Sequence, residues 1–152
     1  MESLEHLQNG RYTVLNKLGE GGKGIVFKAR DTALNRIVAI KMLRNPVTTE
    51  EAYTRFITEA QSVAKLNHPN IASIYDIGKE DEKQFFVLEF VEGHSLRDLI
   101  ESSPEGRCDI QTVLRIGIDV CNALQYAHSQ GVLHRDVKPE NIMITEQGVA
   151  KL

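Results

Sequence analysis

Apolar residues recur along this chain with two different periods, and the switch falls near residues 91–93. Before it, short segments alternate apolar and polar residues, as half-buried strands do. After it, apolar residues return every three or four positions, as on one face of a helix. A chain patterned this way builds a strand-rich part and a helix-rich part, an α+β arrangement rather than one uniform sheet or bundle. The strand-like segments are 11–18, 25–29, 36–43, 71–77 and 85–90, with glycine-rich 19–24 and the turn 31–35 between the first three. Thr48 and Glu51 have the spacing of a capping box and open a helix to about residue 66. Asn67-His68-Pro69-Asn70 ends it. Past Glu92-Gly93 come a short helix over 95–100, a loop over 102–108, and a long helix capped by Asp109 and ended by Gly131. Residues 1–10 read as a polar lead-in.

Composition narrows the function classes. The 152 residues carry 18 Lys+Arg against 21 Asp+Glu, a net charge of -3, so there is no basic footprint for nucleic acid. Two cysteines, Cys108 and Cys121, form no CxxC pair and no disulfide framework, and Cys121 is expected as a small core hydrophobe. The five histidines form no metal-ligand cluster. The first residues lack the apolar run of a signal peptide, and no stretch reaches the ~20 apolar residues that span a bilayer. The expected setting is soluble, reducing and cytoplasmic.

Four motifs carry chemistry. Gly19-Glu20-Gly21-Gly22-Lys23-Gly24 lets backbone N–H groups approach phosphate oxygens, or is a plain glycine turn. The β-branched and aromatic residues that follow it suggest a hairpin joining two strands, not the strand-to-helix turn of a dinucleotide site. In Val38-Ala39-Ile40-Lys41, strand alternation puts Ala39 and Lys41 on one face and Val38, Ile40 and Met42 on the other. A small residue beside a lysine suits a flat ligand with an anion ahead; the plain alternative is an edge lysine in solvent. Glu59 falls within a helical stripe of Ala52, Phe56, Val63 and Leu66. A carboxylate placed there needs a cation, for which Lys41 is the natural candidate, unless Glu59 sits at the stripe's margin. The fourth string, His134-Arg135-Asp136-Val137-Lys138-Pro139-Glu140-Asn141, is the most specific. Asp136 is placed to accept or orient a hydroxyl proton, Asn141 offers a neutral oxygen to Mg²⁺, and Lys138 offers positive charge to a transferring phosphoryl group.

In this order the motifs resemble the signature set of the eukaryotic-type (Hanks-type) serine/threonine protein kinases. His68-Pro69-Asn70-Ile71 and Phe86-Val87-Leu88-Glu89-Phe90-Val91 extend the resemblance over about residues 11–152, and the loop wording is similar to that of bacterial members. It implies a two-lobed kinase-like fold. Residues 11–91 would be a small lobe with a five-stranded antiparallel sheet and one major helix, and residues 92–152 the first part of a larger lobe. The implied reaction is γ-phosphoryl transfer from Mg²⁺-ATP to a protein Ser or Thr hydroxyl. Gly19, Gly21 and Gly24 would cover the phosphates, and Lys41, held by Glu59, would bind them. Leu88 would be the gatekeeper, and the backbone of Glu89 and Val91 would read adenine. Leu18, Val26, Ala39 and Met143 would sandwich the ring, with Ser95 at a ribose contact. Asp136 would be the catalytic base and Asn141 a Mg²⁺ ligand, with Lys138 supplying positive charge to the transferring phosphoryl group.

The last residues, Val149-Ala150-Lys151-Leu152, stand where the family runs directly into D-F-G, so a further Mg²⁺ ligand is expected outside these 152 residues. The 152 residues alone are therefore expected to transfer little phosphate. The apolar face of the 109–129 helix is expected to lack cover, which makes it a candidate surface for a partner or self-association. The other function class compatible with these features is a non-catalytic ATP-binding or protein-interaction module.

Overall fold

The computed structural model describes residues 6–22, 24–45 and 47–152. They form two compact units. The first comprises the residues up to Lys65 together with Ser73–Phe90, and the second Leu66–Ala72 with Val91–Leu152.

The first unit is an antiparallel sheet. Its strands are β1 (His6–Leu7), β2 (Tyr12–Gly21), β3 (Gly24–Asp31), β4 (Arg36–Leu43), β5 (Ile74–Glu80) and β6 (Lys83–Glu89), in the order β1-β2-β3-β4-β6-β5. The sheet thus has six strands, one more than expected, because His6–Leu7 pairs with β2. The lead-in reading fails at these residues: Leu7 is fully buried among Tyr12, Ala29, Val38, Ile40, Met42, Phe85 and Val87. Apolar residues scattered in a short polar segment show no strand alternation to reveal it. Residues 1–5 lie outside the described residues. β5 begins at Ile74, not residue 71, because the preceding backbone is bonded elsewhere: Ala72 N donates to Leu152 O and Leu152 N to Asn70 O, both at 2.9 Å.

The glycine segment is a hairpin. Gly21 pairs with Gly24, so strand pairing extends through most of 19–24, and two register shifts bend β2 before it. Gly24 has φ of +155°, and a Cβ built there would lie 2.0 Å from the Met42 carbonyl oxygen. Gly19 and Gly21 have open space at that position.

One helix, α1 (Glu50–Ala64), accompanies this sheet. Its cap is Thr49 rather than Thr48: the Thr49 hydroxyl accepts the Ala52 N–H at 3.3 Å, three residues on. Its one buried residue is Ala60, and Phe56 packs on Phe86 of β6 with ring centroids 4.9 Å apart. At the opposite end of the sheet, Asp31 is fully buried and its Oδ1 accepts the Ala33 and Leu34 N–H groups, closing the β3–β4 turn. Nearby, Asp76 accepts Arg11 Nη1 at 2.9 Å and the Tyr12 hydroxyl at 3.1 Å.

The second unit holds α2 (Leu96–Ser102), α3 (Ile110–Ser129) and a three-stranded sheet of β7 (Gly93–Ser95), β8 (Met143–Thr145) and β9 (Ala150–Lys151). Asp109 caps α3 as expected, its Oδ1 accepting the Thr112 N–H at 2.9 Å. The core is Ile116, Ile142, Ile144 and Ala150, with Leu96, Leu99, Val120 and Leu152 packed against it. Cys121 is exposed, which corrects its assignment to the core. It lies on the side of α3 that carries exposed Ile110, Val113, Leu114 and Ile118, whereas Ile116, Ala123 and Ala127 point inward. No helix among the described residues is long and apolar enough to cross a membrane.

Two stability results are expected. Gly24→Ala should cost about 2 kcal/mol or more in a denaturant titration, while Gly19→Ala and Gly21→Ala should stay within roughly 0.5 kcal/mol. Equal effects at all three positions would contradict the hairpin geometry. Burial, reinforced by Asp76, pushes the Tyr12 phenol up to about 12 from its ordinary 10. A group raised in the folded state contributes stability that is present below its unfolded value and lost above it. Alkaline unfolding should therefore include a loss of stability between pH about 10 and 12 that Tyr12→Phe removes.

Candidate active site

Strand register brings one set of expected site residues together. β4 pairs with β3 and β6, so Val26, Lys41 and Phe86 form one cross-strand row and Lys28, Ala39 and Leu88 the next. Directly paired residues share a face of the sheet. Val26, Ala39, Lys41 and Leu88 therefore lie on one side, with Gly19 opposite Val26 at the root of the glycine hairpin. Val38, Ile40 and Met42 fill the core on the other side, each no more than 3% exposed. The apolar alternation seals one face and thereby presents Lys41 on the other. Lys28 lies over the Phe90 ring, 4.5 Å from its centroid, on the Lys41 side. Leu18 is an exposed apolar residue on β2, 47% accessible.

Glu59 departs from expectation. It is exposed and lines a shallow hollow with Val47, Thr49, Glu51, Ala52, Arg55 and Phe56. The ion pairs among the described residues do not include Lys41–Glu59. The reason lies in the rotation of α1. Its buried residue is Ala60, and successive helix residues are ~100° apart, so Glu59 stands off to the side. Turning Glu59 into the interface instead would strip water from a carboxylate.

Gln84 was not anticipated as important. It is fully buried on β6, and its side-chain amide brackets one residue before α1, accepting the Val47 N–H at 2.9 Å and donating to Val47 O at 3.2 Å. A polar residue in a strand pattern reads as an outward-facing position, so the sequence carried no sign of this pin. Glu89 closes the β5–β6 ladder: its N–H donates to Ser73 O at 2.8 Å and its Oε2 accepts the Ser73 N–H at 3.2 Å.

In the second unit, the segment 134–141 is folded on itself. Arg135 has φ of +60°, a left-handed conformation that costs a non-glycine residue of order 1 kcal/mol. Asp136 N donates to His134 Nδ1 at 3.3 Å. The same device recurs at 68–70, where Asn70 N donates to His68 Nδ1 at 3.1 Å. The 3-10 turn Pro139–Asn141 then swings Asn141 back, and its Nδ2 donates to both Asp136 O and Asp136 Oδ2 at 2.8 Å. Lys138 Nζ lies 3.6 Å from Asp136 Oδ2. The fold thus gathers Asp136, Lys138 and Asn141 into one cluster. Because both bonds to Asp136 use the amide nitrogen, Asn141 Oδ1 is left without a hydrogen-bond donor among the described residues. A neutral oxygen beside a carboxylate is a donor set that suits Mg²⁺.

Of the remaining expected residues, Val91 is buried at the start of the second unit's long segment, and Met143 is half-buried on β8. Ser95 has a structural task as the cap of α2. Its hydroxyl accepts Asp98 N at 3.1 Å and donates to Asp98 Oδ2 at 2.6 Å, while Ser95 N donates to the same carboxylate. These bonds hold the Asp98 carboxyl below the usual carboxylate range.

Residues 12–152 match the family described as protein kinase domain. The chain is 43% identical over 143 residues to a probable serine/threonine-protein kinase of Clostridium perfringens, covering 93% of this chain and 21% of that protein. It is 41% identical over 145 residues to the serine/threonine-protein kinase PrkC of Bacillus subtilis, covering 95% and 22% respectively. It is 39% identical over 157 aligned residues to the serine/threonine-protein kinase PknB of Mycobacterium tuberculosis, covering 100% and 25%. The chain therefore spans about a fifth to a quarter of the length of these curated relatives. With the sealed sheet, the lysine-bearing face and the Asp136–Asn141 cluster each formed in sequence order, the chain belongs to the protein kinase domain family, among relatives named as bacterial serine/threonine kinases.

Proposed function

We propose that the chain is the nucleotide-handling and catalytic-loop portion of a serine/threonine kinase that transfers the γ-phosphoryl group of Mg²⁺-ATP to a protein hydroxyl. The observation that carries this reading is the cluster in which Asn141 donates twice to Asp136 and Lys138 stands 3.6 Å from the same carboxylate. The Asp136 carboxylate accepts the substrate hydroxyl's proton or orients it, and Lys138 offsets negative charge that develops during transfer. Asn141 would hold Mg²⁺ through Oδ1; bound Mg²⁺ neutralises phosphate charge. Gly19, Gly21 and Gly24 supply a backbone hairpin for phosphates, and Lys41 supplies a charge-assisted bond to them. Val26, Ala39, Leu88, Leu18 and Met143 are the apolar contacts for adenine, Glu89 and Val91 its backbone partners, and Ser95 a ribose neighbour.

The substrate class follows from the relatives' names: a protein carrying a Ser or Thr hydroxyl. A cytoplasmic setting is compatible with the use of ATP and with the free thiols of Cys108 and Cys121. The 152 residues by themselves are expected to transfer little or no phosphate, because phosphoryl transfer depends on a complete set of positioned charges. A second reading, a non-catalytic ATP-binding or protein-interaction module, draws support from exposed Ile110, Leu114 and Ile118 on α3, each at least 59% accessible.

Mg²⁺-ATP should raise the thermal midpoint of the chain, and Lys41→Met should weaken that binding by roughly ten- to a hundredfold, as expected for loss of a charged hydrogen bond. Absence of any shift would remove nucleotide binding. Phosphorylation of a generic protein by the purified 152-residue chain, at a rate lost on Asp136→Asn, would overturn the expectation that it is inactive alone.

A further inference from the structure

Three consecutive residues at the start of α2 grip the segment that carries Asn141. Ser95 pairs with Met143 in the β7–β8 ladder. Leu96 N donates to Ile142 O at 2.7 Å. Arg97 donates to Glu140 Oε1 twice, from Nη2 at 2.8 Å and from Nε at 3.3 Å. Residues 140, 142 and 143 are thus each held by α2 or its cap. Residue 141 is not, and its side chain turns to Asp136.

Two of these three links are backbone bonds that nearly any sequence would form. Arg97–Glu140 is the only side-chain hydrogen bond between α2 and the Pro139–Asn141 turn among the described residues. A three-residue 3-10 turn has poor internal hydrogen-bond geometry, and here one of its closing bonds, Ile142 N to Pro139 O, is long at 3.4 Å. Such a turn depends on outside anchors. Arg97 is itself braced, with Nε 3.8 Å from Glu101 one helical turn along.

We infer that Arg97 is a positioning residue: through Glu140 it fixes the turn from which Asn141 reaches Asp136, and so sets the direction of Asn141 Oδ1. This rests on the reading of Asp136 and Asn141 as site residues, although the geometric claim can be tested without nucleotide. The pair is exposed, so its effect is a factor of a few.

The test follows the Asn141 side-chain amide by NMR in the ¹⁵N-labelled chain. Arg97→Ala and Glu140→Ala should each speed its exchange with solvent by roughly fivefold, with the thermal midpoint close to that of the unmodified chain. The charge-reversed double variant, Arg97→Glu with Glu140→Arg, should restore slow exchange, whereas Arg97→Glu alone should not. Unchanged Asn141 exchange in Arg97→Ala, failure of the reversal to restore it, or an equal loosening of amides throughout α3 would each overturn the inference. Apparent Mn²⁺ affinity in the presence of ATP, read by paramagnetic relaxation, should fall by a similar factor in the single variants. If the amide follows the pattern above but Mn²⁺-ATP binds neither the unmodified chain nor the variants, the positioning role stands and the reading of the site as a metal–nucleotide site fails.

Discussion

The pairing of β4 with its two neighbours is the constraint on which the first unit depends. Val38, Ile40 and Met42 are buried to within 3% of completeness on one face of that strand. Because side chains alternate, a slip of one residue would turn Lys41 into the core and expose all three. At about 25 cal/mol per Å² of apolar surface, exposing three such side chains costs several kcal/mol before the burial of an ammonium group is added. The core therefore sets the register, and the register sets which face carries Lys41. The face proposed to handle nucleotide is thereby set by packing on the other.

In the second unit the corresponding device is local. Asp136 and Asn141 are five positions apart, and a left-handed Arg135, a histidine ring that receives the Asp136 N–H, and a short 3-10 turn bring them within 2.8 Å. The backbone strain at Arg135 is offset by bonds that a relaxed loop would lack. The hydrophobic platform beneath, Ile142 and Ile144 against Ile116, fixes the end of this loop to α3. Conformational strain placed beside a charged cluster, over a packed core, is how a loop can hold side chains as firmly as a helix does.

Much of this was legible in the sequence, because the elements obey simple periods. β4 and α3 fall where alternation and three-four spacing put them, and Asp109 caps as its type and place suggest. The departures have separate physical causes. Leu7 pairs at the sheet edge without any periodic neighbours. The start of β5 is displaced because residues 70–72 spend their backbone bonds on Leu152. Glu59 could be placed on a helical stripe but not rotated correctly, since Ala60 is the buried residue of α1 and Phe56 its contact with β6, which leaves Glu59 to the side. Gln84 is invisible to pattern reading, because a buried amide that satisfies a neighbouring backbone looks identical, in sequence, to a solvated one. Cys121 belongs to a correctly identified apolar face; its burial was the error, since that face is exposed.

If the sealed sheet presents the proposed nucleotide face, amide chemical-shift mapping with Mg²⁺-ATP will reveal it. The residues of that face, Gly19, Val26, Ala39, Lys41 and Leu88, should show the largest shifts, with much smaller ones at Val38, Ile40 and Met42. Shifts concentrated instead around the hollow lined by Val47, Arg55 and Glu59, or no shifts at saturating Mg²⁺-ATP, would contradict it.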